Sequence, residues 1–161
     1  MSNAKNLIYI LTCLSFSIII GAAFYEHLAV WPRAFSAIPT SLSMNQGEYG
    51  LNAEAFWSII HPITLFLVIT TLILFWKSVR RKNILICLIG YIIVLAVTGI
   101  YFVPELMDIT STQYTSEINE ALTNRGQQWV KLSILRLIFL IGLSLILFLG
   151  LSKANTKRIK Y

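Results

Sequence analysis

The chain is short of charge. Of its 161 residues only 12% are charged, with seven carboxylates against thirteen Lys and Arg, while 57% are hydrophobic. Soluble domains carry about 25% charged residues, and one of this size could not hide so much apolar surface. Cysteine is scarce as well. Cys13 and Cys87 form no CxxC pair, which excludes a disulfide framework and argues against a thiol–disulfide enzyme; they read as small buried apolar residues. Histidine occurs twice, at His27 and His61, with no HxxxH, ExxH or HExxH spacing. Internal repetition is limited to a faint likeness between "GAAFYEHL" and "GIYFVPEL", with no sustained register.

What fills the chain instead is long apolar runs. Four of them, at about 7–25, 57–76, 84–103 and 132–151, are each about twenty residues, the length of helix that crosses a hydrocarbon core of roughly 30 Å. The first is longer than the roughly 7–15 residues of a signal-peptide core and is read as a span. The expected fold is an all-α membrane protein: an antiparallel four-helix transmembrane bundle in a single domain, with two long outer loops at 27–56 and 104–130. The first loop carries apolar residues, among them Phe35, Ile38, Leu42, Tyr49, Leu51 and Phe56, and should pack down as a cap. The second should hold a short helix around 116–123, stopped near Gly126.

Charge sets the expected orientation. Lys5, Lys77, Arg80, Arg81, Lys82, Lys153, Lys157, Arg158 and Lys160 fall on one side of the spans, and all seven acids fall on the other. The positive-inside rule places both termini in the cytoplasm, as for a protein of a bacterial cytoplasmic (inner) membrane. The formal net charge of +6 is then an orientation signal with affinity for anionic lipid, and needs no nucleic acid.

This topology brings polar groups from all four spans to one layer near the outer interface. Glu26 and His27 close the first span, Glu54 and His61 open the second, Glu105 and Asp108 follow the third, and Trp129, Ser133 and Arg136 open the fourth. Spacing places Glu54, Trp57 and His61 on one helix face and Trp129, Ser133 and Arg136 on another. Pro62 marks His61 as a first-turn residue, and Pro104 ends or kinks the third helix. An arginine in mid-span costs about 2.5–3.5 kcal/mol, less near the interface, so Arg136 calls for a carboxylate partner, with Glu105 or Glu26 as the candidates.

Two chemistries fit such a layer. His27 and His61 with Glu26 and Glu54 could ligate a transition metal such as iron, copper or zinc. Equally, His27, His61, Glu26, Glu54 and Glu105 could act as acids and bases, with Arg136 stabilising a developing oxyanion. Trp31, Trp57, Tyr101 and Trp129 suit an interfacial belt and equally suit contact with a flat apolar ring. No charge lies near the midplane of any span, which argues against a transporter.

"TGIYFVPELM" followed by "WVKLSILR" resembles the anthrone oxygenase-like family of small four-helix membrane proteins. In that family the third helix ends in a threonine-containing stretch with a proline near the outer edge. The fourth opens with a tryptophan, then a histidine or asparagine four residues on, then an arginine three later. Trp129, Ser133 and Arg136 occupy those positions, with serine in place of histidine or asparagine. "AVWPRAF" is similar to the family's proline-bearing first outer loop. The resemblance implies an oxygenase-like activity on a polyketide-type ring and names no cofactor.

The expectation is therefore an oxidoreductase or oxygenase-like enzyme acting on a lipophilic aromatic or quinone-like molecule at a non-cytoplasmic pocket. The alternative is a non-enzymatic lipophile-binding or accessory protein whose polar cluster fixes the bundle. Membrane lipid and a lipophilic small molecule are the expected partners, and a homo-oligomer is compatible with either reading.

Overall fold

A computed structural model describes residues 2–153. Lys157, Arg158 and Lys160, counted in the charge asymmetry, lie outside the described residues. The described chain is helical, with no strand. Helix α1 (Ser2–Tyr25) passes through a π-helical turn (Glu26–Val30) into α2 (Trp31–Ala34). A 3₁₀ turn (Thr40–Asn45) leads on to α3 (Ala53–Leu74). Helix α4 (Arg81–Val97) passes through a second π turn (Thr98–Phe102) into α5 (Val103–Thr110), and α6 (Glu120–Ser152) ends the described chain. Four stretches, Asn3–Ala34, Ala53–Leu74, Arg81–Thr110 and Glu120–Ser152, are long and apolar enough to cross a membrane, the pattern of an integral membrane protein.

The helices form a bundle in which α1 and α4 each pack against both α3 and α6. Its surface is apolar: Ile100, Leu28, Phe66 and Ile73 are among many large exposed side chains. Its interior is mixed. Tyr9, Phe16, Phe75, Tyr91 and Leu147 are buried together with Thr12, Thr71, Ser15 and Ser144, and the Thr12 and Thr71 hydroxyls share a hydrogen bond of 2.7 Å. A polar seam inside an apolar exterior holds helices together where lipid makes apolar packing between them no better than solvation.

At one end of the bundle Arg80 is buried. Its Nε donates to the Lys153 carbonyl at 2.7 Å, its Nη1 donates to Asn6 Oδ1 at 2.9 Å, and its guanidinium carbon lies 5.3 Å from the Phe75 ring centroid. Arg80, read from sequence only as an orientation charge, thus ties α1, the α3–α4 link and the end of α6 together.

The other end is capped by residues 30–42. Trp31, Phe35, Ile38 and Leu42 pack with Phe102, Ile109 and Trp129 in a second buried cluster. Met44 packs against that cluster, but Tyr49 and Leu51 of the same loop do not join it and are exposed. The second loop differs more. No helix stops near Gly126. Instead α6 starts at Glu120, capped by Asn119 Oδ1 accepting from the Leu122 amide at 3.1 Å, and continues through Gly126. A Cβ at Gly126 would lie 2.9 Å from Phe35 Cγ, so this glycine serves close packing of the cap rather than chain termination. Pro62 likewise lies inside α3, which starts earlier than the apolar run does.

The cap is tied to α6 by two bonds. The Ile38 amide donates to Thr123 Oγ1 at 3.1 Å, and the Asn119 amide donates to the Ile38 carbonyl at 2.8 Å. Thr123→Val keeps the shape but strands the buried Ile38 amide, so stability should fall by about 1–3 kcal/mol, read as a lower unfolding midpoint in detergent.

Candidate functional site

All four prolines fall near the capped end: Pro39 in the cap, and Pro32, Pro62 and Pro104 in three different helices. A proline has no amide hydrogen and its ring crowds the carbonyl four residues back. Widening the preceding turn to a π turn relieves that crowding, and such turns gather at functional sites. Pro32 and Pro104 each stand directly after one, with the Trp31 amide donating to the Glu26 carbonyl and the Val103 amide to the Thr98 carbonyl. Helix α5 therefore continues past Pro104, and the two wide turns present Glu26, His27, Thr98 and Phe102 to the same space.

That space is a cavity of about 380 Å³, within the usual range for small-molecule sites. Apolar side chains make up much of its wall, including Ile19, Val94, Leu137, Leu140, Phe102, Trp31, Trp57 and Trp129. Its polar groups are Glu26, His27, Glu54, Ser58, His61, Thr98, Ser133 and Arg136. Glu54, Ser58, Val103 and Met107 line it and are also exposed, so its mouth lies between the start of α3 and α5.

Each polar group is held differently. Glu26 is clamped by two indoles: Trp31 Nε1 donates to Oε2 at 3.2 Å, and Trp57 Nε1 donates to Oε1 at 3.0 Å. His27 Nδ1 lies 2.6 Å from the Ala23 carbonyl. A carbonyl only accepts, so Nδ1 carries the proton there. The other ring nitrogen, Nε2, is buried with no hydrogen-bond partner among the described residues. His61 stacks on Trp57, with ring centroids 5.2 Å apart, and its Nδ1 is 2.8 Å from the hydroxyl of the fully buried Tyr91. Arg136 donates from Nη1 to Thr98 Oγ1 at 3.1 Å and from Nη2 to Ser133 Oγ at 3.0 Å, and sits 4.2 Å from the Phe102 ring centroid. Trp129 Nε1 donates to the Phe102 carbonyl at 2.9 Å, fixing the second π turn to α6.

The candidates drawn from the sequence thus divide. His27, His61, Glu26, Glu54, Arg136, Trp31, Trp57 and Trp129 line one cavity. Tyr101 does not; it packs beside Phe102 in the cap. Glu105 does not either, and it is not the partner of Arg136. With Asp108 one turn on, it faces Arg125 of α6, whose Nε donates to Glu105 Oε1 at 2.9 Å and whose Nη2 donates to Asp108 Oδ2 at 2.8 Å, on the surface. Among the described residues Arg136 has no carboxylate within salt-bridge distance, because Glu26 is committed to the indoles. No group of three or more His, Cys, Asp and Glu side chains among the described residues could hold a metal ion. His27 turns its Nδ1 to a carbonyl and Glu26 its oxygens to indoles, so the ligand set His27, His61, Glu26 and Glu54 does not assemble. Tyr91, Thr98 and the two π turns escaped the sequence reading; the prolines at 32 and 104 were the available signal.

Comparison with protein-family models, with curated proteins and with solved structures gives no match.

The geometry separates the two glutamates. Glu26→Gln turns one acceptor oxygen into a donor that must face an indole N–H, so the unfolding midpoint should fall and tryptophan emission should shift. Glu105→Gln, at the surface, should change neither. Equal effects from both would remove Glu26 from its place in the cavity wall.

Proposed function

We propose that the four helices cross the membrane antiparallel, with both termini in the cytoplasm, and that the cavity binds a lipophilic aromatic or quinone-like ring near the non-cytoplasmic face and catalyses oxygenase-like chemistry on it. The carrying observation is that two residues with unmet polar groups line the same aromatic-walled cavity: His27, whose buried Nε2 has no hydrogen-bond partner among the described residues, and Arg136, which has no carboxylate within salt-bridge distance among them. A polar cluster that served only to fix the bundle would satisfy its own members, since a buried unsatisfied polar atom costs about 1–3 kcal/mol.

The chemistry follows from these two groups. Nε2 of His27 accepts a proton from a hydroxyl or an activated carbon of the ring. The negative charge left on the ring oxygen is held by Arg136, whose orientation is fixed in advance by Thr98, Ser133 and the face of Phe102. The resulting electron-rich anion is the form that molecular oxygen would oxidise in the oxygenase-like reaction that the family resemblance implies. The exposed mouth between α3 and α5, apolar on its α5 side at Val103 and Met107, supports entry of a ligand dissolved in lipid.

A second reading, a lipophile-binding protein without turnover, is favoured by the clamped state of Glu26, which takes the carboxylate beside His27 out of use as a base. Saturable quenching of tryptophan fluorescence by naphthoquinone tests binding. Arg136→Gln should weaken it about tenfold, the worth of one charge-assisted hydrogen bond. Oxygen consumption with an anthrone-type ring separates the readings: His27→Ala should abolish it while naphthoquinone still binds. Non-saturable quenching, as from simple partition into lipid, overturns both. The orientation is checked by terminal fusions: a fluorescent protein should light up at either end, and alkaline phosphatase activity there would reverse it.

A further inference from the structure

The two histidines of the cavity are held by partners of opposite character. His27 faces a carbonyl, which can only accept, so its Nδ1 donates and its Nε2 is left as an acceptor. His61 faces the hydroxyl of Tyr91 at 2.8 Å. In a phenol–imidazole pair the phenol is the stronger acid and the imidazole nitrogen the better acceptor, so the hydroxyl donates to Nδ1. The proton of His61 then resides on Nε2, its remaining polar atom, while its ring lines the cavity and is braced flat against Trp57. Tyr91 can hold that role because it is fully buried and fixed against Phe16, with ring centroids 5.0 Å apart.

We infer that His27 and His61 are locked in opposite tautomers, one offering the cavity a bare nitrogen and the other an N–H, and that the site selects a ring carrying both a hydroxyl donor and a carbonyl acceptor. Tyr91 is the positioning residue: it does not line the cavity and acts through His61. Arg136, a second fixed donor, adds to the carbonyl side. This rests on the reading of the cavity as a lipophile site and narrows its ligand to hydroxy-ketones on an apolar ring frame. A simple quinone offers only acceptors and a simple phenol no carbonyl, so each leaves part of the site unmatched.

Three small bicyclic probes separate the cases: hydroxytetralone, with phenol and ketone on one frame; tetralone, with the ketone only; and tetrahydronaphthol, with the phenol only. Their affinities are read from tryptophan quenching of the protein in nanodiscs. Hydroxytetralone should bind about fivefold or more tighter than either single-function probe, the worth of one further hydrogen bond. His27→Phe should remove the advantage conferred by the phenol. Tyr91→Phe should remove part of that conferred by the ketone, whereas a merely structural role for Tyr91 would weaken all three probes alike. Nitrogen NMR of the unmodified protein, which needs no variant to fold, should show His61 protonated at Nε2 and His27 at Nδ1, and in Tyr91→Phe a mixture at His61. Equal affinity for the three probes, or a His61 protonated at Nδ1 in the unmodified protein, overturns the inference and leaves the lipophile site standing. Failure of all three to bind overturns that site as well.

Discussion

The arrangement of the capped end depends on proline's missing amide hydrogen. Inside a bundle whose outside is apolar, a backbone carbonyl that loses its partner has no water to turn to, so each proline forces a local answer. At Pro32 and Pro104 the answer is a π turn. Each bends a helix whose lower part, α1 or α4, packs in the bundle while its upper part, α2 or α5, swings into the cap. At Pro62 α3 continues without a π turn, and the carbonyl of Ser58, four residues earlier, loses the amide it would otherwise accept from. Ser58 lies at the mouth of the cavity. The prolines thus account for the wide turns, and the wide turns for the residues they supply to the cavity wall.

The aromatics hold the cavity open. Trp129 packs edge to face on Trp31, Phe35 and Phe102, with ring centroids 5.1, 5.9 and 5.8 Å apart, while Trp31 and Phe35 stack on each other, forming a lid over one side of the cavity. Such ring packing contributes about 0.5–1.5 kcal/mol per pair beyond area burial. The same rings supply donors in an environment with few acceptors. The indoles of Trp31 and Trp57 take up both oxygens of Glu26, and that of Trp129 takes the Phe102 carbonyl. Glu26 is in this sense a frame member: it locates two of the rings that a flat ligand would touch, and does so at the cost of its own availability as a base.

Much of this was legible in the sequence, and what was not has a common cause. Apolar run length and charge distribution find the four long helices, because helix length against bilayer thickness is a local constraint. The faces carrying Glu54, Trp57 and His61, and Trp129, Ser133 and Arg136, follow from helical spacing alone. Pairing does not. Glu105 and Glu26 were both candidates for Arg136 because spacing and topology place them in one layer with it and cannot tell which carboxylates meet which cation; Glu105 pairs with Arg125, and Glu26 with two indoles. Gly126 was read as a stop because a glycine's need for space is indistinguishable in sequence from its tolerance of unusual backbone, and here Phe35 makes the difference. Tyr91 lies in an unbroken apolar run, so nothing local marks it as the one residue of that run to meet His61.

Arg80, buried, and Arg136, half-buried, argue the functional case by contrast. Both lie against aromatic faces, and both are held by neutral groups in place of carboxylates. Arg80 spends its donors on the Lys153 carbonyl and the Asn6 side chain, groups that close the end of the bundle. A guanidinium there caps the final carbonyls of α6, where positive charge is favoured. Arg136 spends two donors on hydroxyls, that of Ser133 on its own helix and that of Thr98 in the second π turn, and lines a cavity with His27, whose Nε2 is unpaired among the described residues. Burying a cation costs several kcal/mol unless it is matched. At Arg80 the match is made within the chain. At Arg136 the hydroxyls supply only part of it, and an oxygen of a bound molecule is the group that would complete it.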